Sequence, residues 1–503
     1  MYLCGNYYIL SVDMENIKTQ RDEQWRIDLR NSIKAKERTE TERVKMPELA
    51  PEIRCRNNEE VNRGLTAEQA VKEASRCLDC AKPTCIEGCP VAINIPAFVK
   101  NIERGQFLQA AYILQQTSAL PAVCGRVCPQ EKQCEEQCIH LKMKKDAVAI
   151  GYLERFAADF FINNSKDNDS DRKVSVNNNL KKIAVAGSGP AGLSFAGEMT
   201  QRGYDVTVFE ALHEIGGVLK YGIPVFRLPN EIVDFEIDNL RKNGVKFVTD
   251  CIIGKTISLE DLKNQGFVGM FVGSGAGLPR FMNIKGENFN GVMSSNEYLT
   301  RVNLMDAANS KADTPVLIGK NVAIIGGGNT AMDSVRTAKR LGADRAMIVY
   351  RRSEEEMPAR IEEVKHAKEE GIEFLNLRNP IEYIGDENGR VSQMILQVME
   401  LGEPDESGRR SPVEVKGQTE TIDVDEVIVS VGVSPNPLIP NSIQGLNTTK
   451  WGTVIVDEQT MQTDIPMIFA GGDIVRGGAT VILAMGGGRR AAQAMDEWLK
   501  KQN

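Results

Sequence analysis

The sequence lacks the features that would place the protein in several special classes. No run of about 18 apolar residues occurs in its 503 residues, which predicts that no helix spans a bilayer. Lys and Arg number 61 against 69 Asp and Glu, so no basic excess favours nucleic acid as a partner. The first residues, 1–12, have no basic flank and too short an apolar stretch for a signal peptide. Hydrophobic residues make up 42% and charged residues 26%, which predicts an ordinary globular protein, and the length predicts roughly three domains. Because no export signal is evident, we expect the protein in the cytoplasm.

Cysteine is scarce outside one block. Eight of the 11 cysteines lie between Cys77 and Cys138, and the remaining three, Cys4, Cys55 and Cys251, are expected to be ordinary thiols. Without an export signal, such a block indicates metal ligation rather than disulfides. The two halves of the block, RCLDCAKPTCIEGCPV and VCGRVCPQEKQCEEQC, each contain a Cys-Pro pair, which is typical of bacterial ferredoxins. Zinc sites usually use two CxxC pairs or mixed Cys/His sets, so the block predicts two [4Fe–4S] clusters, with structural zinc as the rival.

The remaining sequence divides into regions of different character. Residues 1–65 are polar and charged, which predicts an extended arm or solvated helices. Helical periodicity is found over 95–116 and 147–160, on either side of the second cysteine run. The polar stretch 163–179 predicts a linker or surface loop.

After this stretch, strand-like apolar runs alternate with helical patterns. A strand–helix–strand order occurs twice, at 182–186, 191–201 and 205–209, and again at 321–325, 330–340 and 345–350. Two such units predict an α/β fold with two Rossmann-like dinucleotide-binding domains, preceded by an α-helical iron–sulfur domain.

The first unit contains a dinucleotide fingerprint. Gly187, Gly189 and Gly192 form G-x-G-x-x-G directly after a strand, where phosphates bind at the N-terminus of the next helix. Glu210 ends the following strand, where a carboxylate can accept hydrogen bonds from ribose hydroxyls. The predicted binding residues here are Gly187, Gly189, Pro190, Ala191, Gly192 and Glu210.

The second strand–helix–strand unit has a similar glycine turn, but different residues follow its second strand. Gly326, Gly328 and Ala331 fit the fingerprint, but Arg351 and Arg352 stand where the first unit has its acid. Because a guanidinium pairs with a 2′-phosphate, the pattern predicts NADP(H) rather than NAD(H); the alternative is a solvated basic pair beside the acidic run 354–356. The predicted residues are Gly326, Gly327, Gly328, Asn329, Thr330, Ala331, Arg351 and Arg352.

The C-terminal segment is similar to that of flavin reductases with two dinucleotide domains. Its strand-like run ends in Gly472 and Asp473, and a helical pattern begins at Thr480 and Val481. In those reductases this arrangement holds the ribityl and pyrophosphate part of FAD. The resemblance implies an FAD domain of 181–315 plus 440–503, an NADPH domain of 316–439 inserted in it, and an iron–sulfur domain of 1–165.

A set of motifs in a fixed order makes the resemblance more specific. RCLDC, CIEGCP, CGRVCP, GSGPAG, YGIP, FRLP, GGGNTAMD, YRR and AGGD follow one another along the chain. Together they resemble the small (beta) subunit of NADPH-dependent glutamate synthase. The resemblance extends to the NADPH-side subunit of electron-bifurcating ferredoxin:NADP oxidoreductases and to the N-terminal half of dihydropyrimidine dehydrogenase. The stretch from KMPELAPEIR to CLDC is nearer to the bifurcating and homomeric glutamate synthase branch.

The resemblance also implies a crossed set of cluster ligands. One cluster would use Cys77, Cys80, Cys85 and Cys138, and the other Cys89, Cys128, Cys134 and Glu154. The alternative for the last position is Cys124, with Glu154 on a helix surface. Gly217, Val218 and Arg227 are expected to line the flavin, and Val431 and Gly432 to approach the nicotinamide.

The cofactor set predicts an electron relay. NADPH delivers two electrons at once and an iron–sulfur cluster accepts one, so FAD is the required converter between them. No side chain is expected to act as a catalytic acid or base. The region 316–439 has no cysteine, which argues against disulfide reduction. The expected partner is a glutamate synthase large subunit or a small flavoprotein subunit of a bifurcating transhydrogenase, or the chain forms a homo-oligomer. A hypothesis from another class is an assembly module whose clusters are only structural.

Overall fold

The computed structural model describes residues 20–164, 180–309 and 311–502. These residues form two compact units, one containing 20–46 and 64–164, the other containing 47–63 and 180–502. The segment 1–12 and most of the predicted linker lie outside the described residues. Within the described ranges, no helix combines the length and apolar character needed to cross a membrane.

The N-terminal part of the chain is helical. Its helices are α1 (Gln24–Ser32), α2 (Ala35–Glu40), α3 (Pro51–Arg54), α4 (Ala67–Ser75), α5 (Thr84–Glu87), α6 (Ile95–Glu103), α7 (Phe107–Gln115), α8 (Pro121–Val127), α9 (Ile139–Lys142) and α10 (Ile150–Asn164), with a 3-10 turn at Gln130–Lys132. The helix predicted over 95–116 is in fact two, because Gly105 has a φ of +76° and ends α6 in the left-handed region.

The core of the first unit forms where α10 packs against α7 and α8. The Phe107 and Phe156 rings meet edge to face, with centroids 4.9 Å apart. Glycine allows α8 and α10 to approach, since a Cβ at Gly125 would lie 2.5 Å from the backbone nitrogen of Arg155. This contact fixes α10 beside the cysteine-bearing segments.

The second unit is built on four sheets. Its strands are β1 (Lys182–Ala186), β2 (Asp205–Phe209), β3 (Lys246–Val248), β4 (Phe267–Val272), β5 (Leu278–Pro279), β6 (Val292–Ser294), β7 (Asn321–Ile325), β8 (Arg345–Tyr350), β9 (Glu373–Asn376), β10 (Arg378–Gly385), β11 (Val391–Pro404), β12 (Arg410–Asp423), β13 (Glu426–Val429), β14 (Val433–Ser434) and β15 (Ile468–Ala470).

Two of these sheets are parallel and five-stranded. Their orders are β15-β4-β1-β2-β3 and β6-β13-β7-β8-β9. Their central strands are almost continuous apolar runs because helices cover both faces of such sheets. The C-terminal strand β15 joins the first sheet, and β6 joins the second sheet although the sequence range 181–315 was assigned to the flavin domain. The other two sheets are antiparallel, with orders β10-β11-β12 and β14-β5.

Helices complete the second unit. They are α11 (Pro190–Gln201), α12 (Val218–Tyr221), α13 (Asn230–Lys242), α14 (Leu259–Asn264), α15 (Ser295–Leu299), α16 (Asn329–Leu341), α17 (Ile361–Glu369), α18 (Leu438–Ser442), α19 (Asp473–Arg476) and α20 (Val481–Lys500), with a π-helical turn at Thr300–Leu304 and a 3-10 turn at Glu354–Glu356. Helices α11 and α20 pack closely, because a Cβ at Gly488 would lie 2.2 Å from the carbonyl oxygen of Ala191.

The segment 47–63 belongs to the second unit, although the sequence assigned it to the helical domain. The N–H of Val61 donates to the carbonyl oxygen of Phe226 at 2.9 Å. Arg54 reaches Glu369 at 2.5 Å and Glu370 at 3.0 Å, at the end of α17. These long-range contacts have no local sequence signal, which explains why the segment resembled a solvated arm.

Candidate cofactor sites

The first set of predicted cluster ligands surrounds one cavity in the helical unit. The thiols that line it are those of Cys77, Cys80, Cys85 and Cys138. The hydroxyl of Thr84 donates to the carbonyl oxygen of Gln137 at 2.6 Å, which ties the segment before Cys85 to the segment before Cys138. The structure therefore brings together residues from both halves of the cysteine block.

Burial dominates the acidity of these thiols. It raises the pKa of Cys77 to about 11 and also raises the pKa of Cys80 and Cys85. A cysteine ligates metal as the thiolate, so cluster assembly at this cavity releases protons.

A charged arrangement fixes the loop between the first two thiols. The N–H of Asp79 donates to Cys77 Sγ at 3.4 Å. The Asp79 carboxylate pairs with Arg26 at 2.5 Å and with Arg30 at 2.6 Å. The hydrogen bond to sulfur is one of the interactions that tune a bound cluster. The sequence did not single out Asp79, because its arginine partners lie far away along the chain.

The second set of predicted ligands is more deeply buried. Burial raises the pKa of Cys89 to about 11 and raises the pKa of Cys134, and the charge of Glu154 adds to both. For Cys128, a hydrogen bond with Cys124 raises the pKa most, and burial and Glu154 add to it. Glu154 is 5% exposed and Cys124 is fully buried. Both candidates for the fourth ligand therefore lie at this set.

The cysteine sulfurs can be compared with the geometry of a single zinc ion. Among the described residues, no three of these cysteines have sulfurs that all lie within 4.8 Å of one another. Thiolates bound to one zinc ion at about 2.3 Å would lie roughly 3.8 Å apart. The described cysteines therefore do not form a preassembled tetrahedral zinc site.

The first glycine turn forms a cradle at the start of α11. Gly187 has a φ of +98°, and a Cβ at Gly192 would lie 2.0 Å from the carbonyl oxygen of Gly187. No atom lies within 4 Å of a Cβ built at Gly189, so this side of the turn has room for a phosphate. Pro190 and Ala191 begin the helix, where free N–H groups favour an anion.

Glu210 lies against this turn at the end of β2. Its Oε2 accepts from the N–H and the hydroxyl of Ser188 at 2.8 and 2.5 Å, and its Oε1 accepts from the N–H of Leu212 at 2.9 Å. A carboxylate oxygen accepts more than one hydrogen bond, so a ribose hydroxyl can also bind here.

Two further segments reach the same turn. Gly217, which precedes Val218 and α12, has a φ of +55°, and its Cβ would lie 2.9 Å from Gly189 Cα. Gly472 has a φ of +78°, and its Cβ would lie 2.8 Å from Ala191 Cβ. The predicted flavin residues thus converge from three distant parts of the sequence.

The C-terminal segment supplies a half-buried acid and a helix start. Burial raises the pKa of Asp473 to about 6, and burial together with the charges of Asp473 and Glu210 raises the pKa of Tyr221 to about 12. Thr480 caps α20 by accepting from the N–H of Leu483 at 3.4 Å, just before Val481 begins the helix. Tyr221 was not among the predicted residues, since an aromatic residue in a short turn has no distinctive spacing.

The sequence predicts that Arg227 lines the flavin, whereas in the structure its side chain forms ion pairs with two acids. Its Nη1 lies 2.7 Å from both carboxylate oxygens of Asp333, and its Nε lies 3.1 Å from Oε1 of Glu363. Asp333 is on α16 and Glu363 is on α17. These acids are more than 100 residues away along the chain, which is why FRLP alone does not reveal the pairing.

The second glycine turn repeats the first cradle. Gly326 has a φ of +139°, and its Cβ would lie 2.3 Å from the carbonyl oxygen of Ser430. A Cβ at Gly327 would lie 2.8 Å from the Tyr350 ring, whereas a Cβ at Gly328 would have no atom within 4 Å. The open side of the turn again lies at Gly328, before the start of α16.

The other predicted residues of this turn are arranged around it. Asn329 Oδ1 accepts from the N–H of Arg360 at 2.9 Å, Thr330 is exposed and Ala331 is buried. Beyond β13, Val431 is 37% exposed, and no atom lies within 4 Å of a Cβ built at Gly432.

The two arginines after β8 differ in their surroundings. Arg351 is exposed. Arg352 is 6% exposed, pairs with Asp405 at 2.6 Å and donates to the carbonyl oxygen of Arg410 at 2.8 Å. The geometry therefore favours Arg351 as the side chain that is free to reach a 2′-phosphate.

Comparison with protein families matches both units. Residues 54–166 match the family described as dihydropyrimidine dehydrogenase domain II, 4Fe-4S cluster. Residues 181–496 match the pyridine nucleotide-disulphide oxidoreductase family.

Individual relatives extend the match along the chain. The chain is 36% identical over 465 residues to the glutamate synthase [NADPH] small chain of Escherichia coli, covering 91% of this chain and 98% of the relative. The chain belongs to the glutamate synthase small-chain family. A second relative of this chain is the NADPH-Fe(3+) oxidoreductase subunit beta of Geobacter sulfurreducens. The two are 36% identical, and the match covers 85% of this chain and 65% of the relative.

The family establishes the class of chemistry. The chain is a glutamate synthase small-chain-like NADPH-dependent oxidoreductase with [4Fe–4S], FAD and NADPH as its cofactors, which confirms the predicted family, fold class and cofactors. The structure of Mycobacterium tuberculosis FprA in complex with NADPH shares the fold, with a TM-score of 0.54 at 17% identity over 64% of this chain and 85% of that chain.

Proposed function

We propose that the protein takes electrons from NADPH and delivers them to a partner subunit that synthesises glutamate. The observation that supports this proposal most directly is the presence, in one chain of this family, of two nucleotide cradles and a block of eight cysteines. When bound, FAD accepts an electron pair from NADPH and releases single electrons that the clusters accept. The residues of the chain bind and orient these groups.

The FAD would be held at the first cradle. Gly189 leaves space for the pyrophosphate, and the N-termini of α11 and α20 supply unpaired N–H groups. Glu210 would accept from the ribose, and Asp473 and Gly217 would lie beside the rest of the cofactor. The FAD domain would comprise 181–315 and 440–503, apart from β6, which pairs within the second sheet.

The NADPH would be held at the second cradle. Gly328 leaves space for its pyrophosphate at the N-terminus of α16, and Arg351 would pair with the 2′-phosphate. Val431 and Gly432, after β13, would line the nicotinamide side. The domain would centre on the predicted range 316–439.

The two clusters would use the crossed ligand sets. Cys77, Cys80, Cys85 and Cys138 line a common cavity and would hold the first cluster. Cys89, Cys128, Cys134 and Glu154 would hold the second cluster. Glu154 is placed in this set as the family resemblance implies, and Cys124, which also acts on Cys89 and Cys128, is the alternative.

A partner subunit would receive the electrons. The Escherichia coli relative is named as a small chain and the Geobacter sulfurreducens relative as a beta subunit, so both belong to larger assemblies. We place the protein in the cytoplasm, where a block of reduced cysteines persists. The second candidate is an NADPH-side subunit of a bifurcating transhydrogenase, and the name of the Geobacter sulfurreducens relative, an NADPH-Fe(3+) oxidoreductase subunit, is compatible with an acceptor other than a glutamate-forming chain.

The first experiment tests electron entry in anaerobically purified protein. We expect about eight iron atoms per chain and bleaching of bound flavin by NADPH in preference to NADH. Arg351→Ala should lower the preference for NADPH over NADH by roughly tenfold or more, because one charge-assisted pair is lost. Iron-free protein, or flavin that NADPH does not bleach, would show that the relay does not exist.

The second experiment identifies the acceptor. The protein is purified under native conditions and the copurifying chain is identified by mass spectrometry. The complex is then assayed for NADPH-dependent formation of glutamate from glutamine and 2-oxoglutarate. A large chain with glutamine amidotransferase activity supports the proposal, whereas a small flavoprotein that exchanges electrons with ferredoxin and NAD(H) favours the second candidate.

A further inference from the structure

A buried cluster of charges lies inside the second unit, on segments that begin at the two cradles. Arg227 stands on the turn between α12 and α13, and its side chain is 5% exposed. Its two acidic partners, Asp333 and Glu363, are 4% and 5% exposed. The turn follows the helix that starts at the proposed flavin cradle, and α16 starts at the proposed NADPH cradle. The ion pair therefore joins one cradle's segment to the other cradle's helix.

The acids are shared with further arginines. Arg336, on α16, is fully buried and contacts Glu363 as well as Glu370, the latter at 2.8 Å. Arg340 reaches Glu370 at 2.7 Å and Arg54 reaches it at 3.0 Å. Arg54 also pairs with Glu369 at 2.5 Å and with Glu48 at 3.4 Å, so the cluster extends from Arg227 to the segment 47–63.

The turn that bears Arg227 is held from several sides. The ring of Phe226 lies 4.8 Å from the guanidinium carbon of Arg336 and 3.9 Å from that of Arg340. The carbonyl oxygen of Phe226 accepts from the N–H of Val61 at 2.9 Å. The position of Arg227 relative to α16 is thus determined by its neighbours as well as by its own ion pair.

Such a pair contributes geometry more than stability. Burying charges is costly, and well-packed apolar side chains often stabilise a fold as well or better. The planar guanidinium of Arg227, however, contacts Asp333 through Nη1 and Glu363 through Nε, so it fixes distance and direction to α16 and α17 together. Hydride transfer needs reacting atoms about 3–3.5 Å apart, and an error of about 1 Å can cost roughly 100-fold in rate.

We propose that the Arg227–Asp333 ion pair positions the NADPH-binding helix α16 against the flavin-binding domain, which makes Arg227 a positioning residue for flavin reduction. The inference rests on the proposed function, in which NADPH reduces FAD. Arg227 itself does not need to touch either cofactor, because it acts through the helix whose N-terminus holds the NADPH phosphates.

The test uses anaerobic holoenzyme and stopped-flow measurement of flavin reduction by NADPH. The variants are Arg227→Met, Arg227→Lys and Asp333→Asn, and their FAD and iron contents are measured first. The control is Arg202→Met, because Arg202 pairs with Asp496 at 2.8 Å within the flavin-binding domain and follows the C-terminal end of α11, opposite the end that begins at the cradle. The limiting rate, the dissociation constant of NADPH and the charge-transfer absorption of the NADPH–flavin complex are recorded.

We expect Arg227→Met to lower the limiting rate by roughly 10- to 100-fold and to weaken the charge-transfer absorption, while NADPH affinity changes by less than about threefold. Arg227→Lys should recover part of the rate, because a single ammonium keeps the charge and can pair with Asp333 but cannot also contact Glu363 in the same geometry. Arg202→Met should keep the unsubstituted rate.

Three outcomes would overturn the proposal or its basis. Limiting rates within about twofold of the unsubstituted protein in FAD-loaded variants would show that the pair is only structural. An equal loss in Arg202→Met would indicate general destabilisation. If Arg227→Met fails to fold, Arg227→Lys and Asp333→Asn decide by the same criteria. Flavin that NADPH does not bleach in the unsubstituted protein would instead refute the proposed function, and the positioning role with it.

Discussion

Arg54 and Glu370 form an ion pair that joins the segment 47–63 to the end of α17. Arg54 Nε lies 3.0 Å from Oε1 of Glu370, and the two side chains are 1% and 0% exposed. Arg54 also donates to the carbonyl oxygen of Leu49 at 3.1 Å, so it closes its own segment as well. A segment that looks like a solvated arm in the sequence is therefore fastened by buried charge.

Replacing Arg54 tests how strongly this segment contributes to the second unit. Arg54→Met leaves Glu370 buried with fewer partners, and breaking a buried pair typically costs about 3 kcal/mol or more. We expect an earlier urea midpoint for the unfolding of the second unit, followed by the release of bound flavin. Arg63→Met is the control, because Arg63 and Glu59 are 49% and 60% exposed and an exposed pair contributes less than about 1 kcal/mol. Equal midpoints for the two variants would contradict this role.

Glu370 should also make stability depend on pH. Burial opposes its ionisation, but hydrogen bonds from Arg340 and Arg336 lower its pKa to about 2. Because the pKa is lower in the folded than in the unfolded state, the stabilisation is complete above about pH 4.5 and is lost as the pH falls towards 2. The shift corresponds to about 3 kcal/mol.

The measurement compares Glu370→Gln with the unsubstituted protein in urea titrations at successive pH values between about 5 and 2. The variant should be less stable at the upper end and should lose less stability on acidification. Part of the slope should remain, because a hydrogen bond with His366 lowers the pKa of Glu48 to about 2 as well. Identical slopes in the two proteins would show that Glu370 is not responsible.

Local patterns account for the sheets and the cradles. The predicted strands at 182–186, 205–209, 321–325 and 345–350 coincide with β1, β2, β7 and β8, since a buried parallel strand must be apolar along its whole length. The glycine spacing identifies both cradles because only glycine adopts a φ near that of Gly187 or Gly326 without strain.

Contacts between segments that are distant in the sequence cannot be predicted from such local patterns. The partners of Arg227 and Arg54, the placement of Asp79 and the pairing of β6 with β13 depend on the folded chain. A charged residue in a polar stretch looks the same in the sequence whether it is solvated or buried against a partner. The break between α6 and α7 at Gly105 was missed because helical periodicity continues on both sides of it.

The two cradles can be distinguished by matched glycine substitutions. A Cβ at Gly189 or Gly328 meets no atom within 4 Å, so alanine should leave the fold intact and instead occupy the space next to the pyrophosphate. Gly189→Ala should lose most of its bound FAD. Gly328→Ala should keep its FAD and raise the dissociation constant of NADPH by roughly tenfold or more. FAD loss in Gly328→Ala, or full FAD content in Gly189→Ala, would mean that the cradles are assigned wrongly.

Iron content decides which residue completes the second cluster. If Glu154 is the ligand, Glu154→Ala should lose up to about four of eight iron atoms per chain or change the paramagnetic resonance of one reduced cluster. Glu154→Cys should restore the iron, since thiolate is a stronger ligand for iron than carboxylate, but it should shift the potential of that cluster. Cys124→Ser is the matched control and should keep all the iron, because Cys124 would then be a buried neighbour of Cys128 rather than a ligand. The reverse result, with iron lost only in Cys124→Ser, would assign the position to the thiol and leave Glu154 as a buried charge beside the cluster.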